Sequence, residues 1–202
     1  MKKLLSILAL GFLATSHAQT TFGVKAGYNL STIKLLNENI DSKSYFYVGG
    51  TAEHNINDKF SVQGELLYTE LGGKFSYEIT SLVGNEIVTM GTQTANVHLP
   101  QLQIPISAKY YITMPFSVSA GLNFGINLNP NVKYSFQGES FYDGKIDNIS
   151  TLNVFPFLGT AYQFPNNLFL DARYNFNFFS MNKEGGSTKA SFFQVGLGYR
   201  FK

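Results

Sequence analysis

Cysteine and tryptophan are absent from these 202 residues, and only 14% of the residues are charged. Without cysteine, disulfides and thiolate metal sites are excluded, and no thiol stands at a signal cleavage point to carry a lipid. No apolar run of 18 or more residues follows Gln19, so no stretch has the length of a membrane-spanning helix. Charge of one sign is also lacking. Of 15 basic residues, Lys2 and Lys3 belong to the extreme N-terminus, and the other 13 balance 13 acidic ones. Such a chain offers neither a basic surface for nucleic acid nor an acidic one for cations. Soluble domains carry about a quarter charged residues, so the shortfall needs a physical reason.

What is present begins with a targeting pattern. Lys2 and Lys3 precede an apolar run from Leu4 to Leu13, and Ser16-His17-Ala18 supplies small residues before Gln19. The pattern predicts a signal peptide over 1–18 and one mature domain over 19–202. The mature domain is rich in Phe, Tyr and Gly, a balance that favours strands.

Hydropathy then alternates with period two. From 116 to 129 the even positions read Phe116, Val118, Ala120, Leu122, Phe124, Ile126 and Leu128, while the odd ones are Ser, Gly and Asn. The same alternation recurs around Val24, Val48, Leu66, Ile106, Leu170 and Leu197. An eighth segment, Leu152 to Tyr162, is blurred by Pro156 and by Phe155 and Phe157 on the wrong face. Eight strands result. Tight turns at Asn57-Asp58, Thr113-Met114-Pro115 and Pro165-Asn166-Asn167 alternate with long polar connections over 34–43, 75–96, 131–148 and 180–187. Short turns and long loops in alternation predict an all-β fold, an eight-stranded antiparallel up-and-down transmembrane β-barrel with both termini in the periplasm.

The sign of each face separates this from a soluble barrel such as a lipocalin. An eight-stranded barrel has an interior just wide enough for side chains to fill it. Packing the large apolar set inside would overfill it. The small and polar set therefore faces inward, and the apolar set faces lipid. Phe60, Tyr110, Phe116, Tyr162, Tyr199 and Phe201 fall near periplasmic turns, where Tyr and Phe form a girdle without Trp. Inward parity gathers Lys25, Glu53, Glu65, Lys109, Asp171, Arg173 and Arg200. In so narrow a lumen these charges are expected to pair and plug it.

The motifs Phe22-Gly-Val-Lys-Ala-Gly-Tyr-Asn-Leu-Ser31, Gly64-Glu-Leu-Leu-Tyr68, Leu102-Gln-Ile-Pro-Ile106, Leu170-Asp-Ala-Arg-Tyr174 and Gly196-Leu-Gly-Tyr-Arg-Phe201 follow one another over nearly the whole mature domain. In this order they resemble the small outer-membrane β-barrel domain proteins of the Bacteroidetes, a group that includes PorT-like proteins. The resemblance implies a barrel of the OmpA/OmpX type, insertion by the barrel-assembly machinery through the last strand, and, for PorT-like members, association with type IX secretion.

No catalytic constellation emerges. His54 and His98 take the lipid-facing parity near strand ends, away from any inward nucleophile, and read as interfacial histidines hydrogen-bonded at the rim. No metal-ligand spacing or phosphate-binding glycine loop is present, and no cofactor is expected. Tyr77, Phe136, Phe141 and Tyr142 lie in the two longest connections and are candidate contacts for an extracellular protein or glycan. The expected function is a non-catalytic structural or surface-interaction role in the outer membrane, with lipid as surroundings and no nucleic acid as partner. Closure of the ring predicts a monomer. The alternative is a narrow transport pore or a component of a secretion complex.

Overall fold

A computed structural model describes residues 20–35, 38–39, 41–146, 149–176, 178–181 and 188–201. The signal peptide expected over 1–18, Asn177, and most of the connection expected over 180–187 lie outside them. Eleven strands run in chain order: β1 (Thr20–Leu35), β2 (Glu38–Asn39), β3 (Asp41–Asn55), β4 (Phe60–Val83), β5 (Glu86–Thr113), β6 (Phe116–Asn127), β7 (Asn131–Phe136), β8 (Glu139–Lys145), β9 (Leu152–Gln163), β10 (Leu168–Asn175) and β11 (Thr188–Arg200).

Eight of these form the ring, in the order β4-β3-β1-β11-β10-β9-β6-β5, and an antiparallel β4–β5 pairing closes it. The first and last ring strands pair from Gly23↔Arg200 upward. The ring is the eight-stranded up-and-down barrel that the alternation predicts. Its outer surface is apolar: Val48, Leu66, Leu122, Leu158, Leu170 and Leu197 are exposed, while Lys25, Glu65, Gln103, Asn123 and Arg173 are buried. Ring contacts staple the lower girdle, with Phe60–Tyr110 at 5.0 Å, Tyr162–Phe164 at 5.0 Å and Tyr199–Phe201 at 6.0 Å.

Among the described residues, the connections expected over 75–96 and 131–148 are strands and not polar loops. β4 and β5 stay paired to Val83↔Glu86. β7 continues β6 along the same edge of β5, through Val97↔Val132 and Gln93↔Phe136, after a break at Pro130. β8 folds back on β7. Two neighbouring hairpins thus rise beyond the ring as one four-stranded sheet, β4-β5-β7-β8. Water bathes both faces there, so the apolar/polar alternation fades even though Thr, Ile and Val still favour strands. The ring itself has no free edge, but the projecting sheet has two, along upper β4 and along β8. Glu139, Asp143, Lys145 and a register shift at Tyr134/Ser135 mark the β8 edge, features that discourage chance strand pairing.

Two expectations about the interior are corrected. Phe155 and Phe157 do not blur β9, because both point into the lumen and are buried. Nor is the interior only small and polar: Ile33, Leu71, Leu99, Ile149, Phe155, Met181, Ala190 and Phe192 form an apolar cluster. Ile149 and Met181 come from connecting segments that fold into the outer mouth, tied by Ser150 N–H donating to the Met181 carbonyl at 2.7 Å.

Large inward rings fit because glycines stand opposite them. A Cβ at Gly196 would lie 1.9 Å from the Tyr47 hydroxyl, and one at Gly198 would lie 2.2 Å from the Phe169 ring. A Gly196→Leu substitution is expected to expel Tyr47 and cost about 1–3 kcal/mol by overpacking. Urea unfolding in lipid vesicles, followed by heat-modifiable electrophoretic mobility, measures this directly.

Candidate functional sites: a filled lumen and a projecting aromatic sheet

The lumen is layered. In the charged layer, Lys25 Nζ lies 2.9 Å from both Glu65 and Asp171, and Arg173 Nη2 lies 2.6 Å from Glu65 and 2.9 Å from Asp171. Two cations and two anions from β1, β4 and β10 therefore close a four-membered ring of ion pairs. Towards the periplasm, Glu53 takes Lys109 at 2.8 Å and Arg200 at 2.6 Å, and also accepts hydrogen bonds from Ser61 and Tyr111. Gln63 joins the two groups, donating to Glu65 at 2.6 Å and accepting from Lys109 at 3.0 Å. All seven inward charges singled out in the sequence lie in this one network.

Each cation also sits over its own aromatic ring: Lys25 over Tyr47 (5.4 Å), Lys109 over Tyr111 (5.5 Å), Arg173 over Phe157 (5.0 Å) and Arg200 over Phe169 (5.4 Å). The rings fill volume that would otherwise be water and solvate the cation through the negative face of the π-system. Sequence reading missed these partners, although Tyr47, Phe157 and Phe169 share the inward parity of the charges.

Above the charges lies an amide layer. Gln103 Oε1 accepts from Asn123 at 3.1 Å and from Gln194 at 3.2 Å, Gln103 donates to Gln101 at 3.0 Å, and Gln101 donates to Asn127 at 2.8 Å. Asn123 also donates to Asn175 at 3.1 Å. Amides suit a narrow dry space because each both donates and accepts. The apolar cluster caps this layer on the outer side. Within the charged layer a cavity of 20 Å³ remains, whereas the periplasmic mouth opens as a 500 Å³ vestibule bordered by Thr21, Asn55, Tyr111 and Arg200.

The projecting sheet has two unlike faces. Residues opposite one another on paired strands share a face. Phe75↔Ala95↔Tyr134↔Tyr142 and Tyr77↔Gln93↔Phe136 therefore make one face, turned over the barrel mouth. Lys74↔Asn96↔Lys133↔Asp143 lies on the other face, continuous with the lipid-facing wall. The aromatic face is tied by Phe75–Tyr77 at 5.6 Å and Tyr134–Tyr142 at 5.8 Å. Of the four candidate loop contacts, Tyr77, Phe136 and Tyr142 share this face, while Phe141 projects from the shifted register of β8 and is exposed. Phe75 and Tyr134 complete the face and were not singled out from the sequence. On the other face Asn131 and Lys133 bond the Asp143 carboxylate and hold it below the usual carboxylate range.

The two histidines stand outside both sites. His54 bonds Thr20 at 2.9 Å, and His98 pairs with Glu70 on the outer wall. Among the described residues no group of three His, Asp or Glu side chains is arranged to hold a metal ion.

The family model for the outer membrane protein beta-barrel domain matches residues 4–201. The chain belongs to that family. Its place is accordingly the outer membrane. Among solved structures it is similar to Ail, the attachment invasion locus protein of Yersinia pestis, in a complex with the heparin analogue sucrose octasulfate. The TM-score is 0.54 at 16% identity, over 91% of this chain and 100% of that one. It is also similar to Neisserial surface protein A, with a TM-score of 0.51 at 17% identity, over 89% and 97% of the two chains. At these identities the likeness shows the fold. A comparison with curated proteins found no match.

Glu65→Gln would leave Lys25 and Arg173 sharing Asp171 alone. Breaking a buried ion pair from one side costs about 3–5 kcal/mol. The variant is expected to lose stability on that scale in vesicle unfolding, and a change below about 1 kcal/mol would show that the charged ring is well hydrated.

Proposed function

We propose that this protein is a non-catalytic, surface-interacting barrel: a filled ring anchors the four-stranded sheet outside the cell, and the aromatic face of that sheet takes an extracellular protein or glycan. The observation that supports the reading is the sheet itself, whose register gathers Phe75, Tyr77, Tyr134, Phe136 and Tyr142 on one face above the ring. Rigid aromatics supply large contact area at small conformational cost. Phe75, Tyr77 and Tyr142 are each at least 40% exposed, an unusual state for neighbouring rings in a folded domain. Ail, which shares the fold, was crystallised with a heparin analogue, so sulfated glycans belong in the screen.

The lumen in this reading is a plug. A 20 Å³ cavity holds about one water and no hydrated ion, and the apolar cluster blocks the outer mouth. Export by a cleaved signal peptide over 1–18, a monomeric barrel, and membership of the PorT-like branch on the motifs at Gly64–Tyr68 and Leu170–Tyr174 belong to the same proposal.

Two measurements test it. In planar bilayers the protein is expected to give no stable ohmic conductance, and a steady single-channel current would overturn the plug. Cells displaying the protein are screened against arrays of glycans and extracellular proteins, and Tyr77→Ser with Tyr142→Ser is expected to lower any binding found by about tenfold or more. Undiminished binding by that double variant, with normal surface display, would remove the aromatic face from the function.

A further inference from the structure

The face of the projecting sheet that continues the lipid-facing wall carries a row of lysines. On β4 the outward positions run Phe60, Val62, Leu66 and Tyr68, then change to Glu70 and Lys74. On β5 they run Tyr110, Ile106, Ile104 and Leu102, then change to His98 and Asn96. Ten residues of tilted strand from Phe60 to Glu70 rise about 25 Å, the height of the apolar band of such barrels. The change of chemistry therefore marks the outer headgroup level.

Just above it, three lysines converge on Asn96. Lys74 stands directly opposite Asn96 on one neighbouring strand, and Lys133 stands directly opposite on the other. Lys43 donates to Asn96 Oδ1 at 3.3 Å. Lys43 reaches there because β3 leaves its ladder with β4 between Ser42 and Tyr47. Tyr45 then crosses the outer face of β4 at Gly72, where a Cβ would lie 2.2 Å from the Tyr45 hydroxyl, and carries Lys43 across with it. In the gap, Asn29 and Ser31 of β1 bond the backbone of Glu70 and Gly72 that β3 leaves unpaired. Of the two nearby carboxylates, Glu70 pairs with His98, and Asp143 pairs at 3.1 Å with Lys133 itself, in an exposed ion pair that a phosphate can replace. Neither Lys43 nor Lys74 makes an ion pair among the described residues.

We propose that this row, centred on Lys43, Lys74 and Lys133, binds the phosphate groups of an outer-leaflet glycolipid headgroup. Lysines are mobile point charges that suit a phosphate of variable pose, and the asparagine between them offers a neutral donor. The acyl chains of a lipid so held would run down past His98 and Glu70 to lie against Tyr68, Leu66 and Leu102. A soluble anion would gain nothing from that apolar wall. The row is independent of the aromatic face, which lies on the opposite side of the sheet.

The test uses the full protein in nanodiscs containing bis-phosphorylated lipid A or its dephosphorylated form, with retained lipid counted by native mass spectrometry after detergent extraction. The phosphorylated form is expected to be retained in preference, and Lys43→Gln/Lys74→Gln/Lys133→Gln is expected to lower that preference about tenfold or more. Lys59→Gln, at an exposed periplasmic turn, is expected to leave it unchanged, and heat-modifiable mobility verifies that each variant is folded. Equal retention of the two lipids, or an unaffected triple variant that is folded, overturns the proposal. Inorganic phosphate separates the sources: if millimolar phosphate displaces the lipid, the site belongs to a free anion and the lipid assignment fails; if it does not, the headgroup assignment stands.

Discussion

In the hydrocarbon of a bilayer no water is available to a backbone N–H or C=O, so a strand survives there only if both its edges are paired. The β4–β5 pairing meets that requirement by joining the two ends of the eight-strand path. Much else follows from it. Eight strands leave an interior that side chains must fill, and whatever charge enters must find its partner across a few ångströms of poorly hydrated space. The ion-pair ring of Lys25, Glu65, Asp171 and Arg173 is the consequence, and the aromatic ring under each cation is the packing solution that goes with it.

Closure also separates what the membrane governs from what it does not. Within the apolar band each residue is either lipid-facing or luminal, and the chain has little freedom. Above the band the same strands continue with water on both sides. Their faces are then free to carry unlike chemistry, aromatic over the mouth and charged towards the lipid side. The break at Pro130 fits this boundary: proline lacks the N–H that a regular ladder uses, and it stands where β6 passes into β7. The departure of β3 from β4 at 43–46 also lies at this height, which is why Lys43 and Tyr45 could be diverted across the wall.

Period two at Phe116 to Leu128, and its repeats, fixed eight ring strands and the inward set of seven charges, because strand geometry alternates faces whatever the neighbours are. Inward parity could not say which charges meet. Glu65 and Arg173 are 108 positions apart, and only the register of β4, β5, β6, β9 and β10 around the ring brings them to 2.6 Å. Phe155 and Phe157 misled because both faces of β9 are apolar, and a pattern of contrast is silent where there is no contrast. The same silence hid the projecting strands, whose two faces are both wet.

The sequence by itself therefore determined the eight-stranded ring and which charges face its interior, since both depend on local alternation of faces. The tertiary structure alone decided the pairing within the lumen, the apolar cap built from Ile149 and Met181, and the two faces of the projecting sheet. Those depend on cross-strand register and on where connecting segments fold back, and a single period along the chain encodes neither.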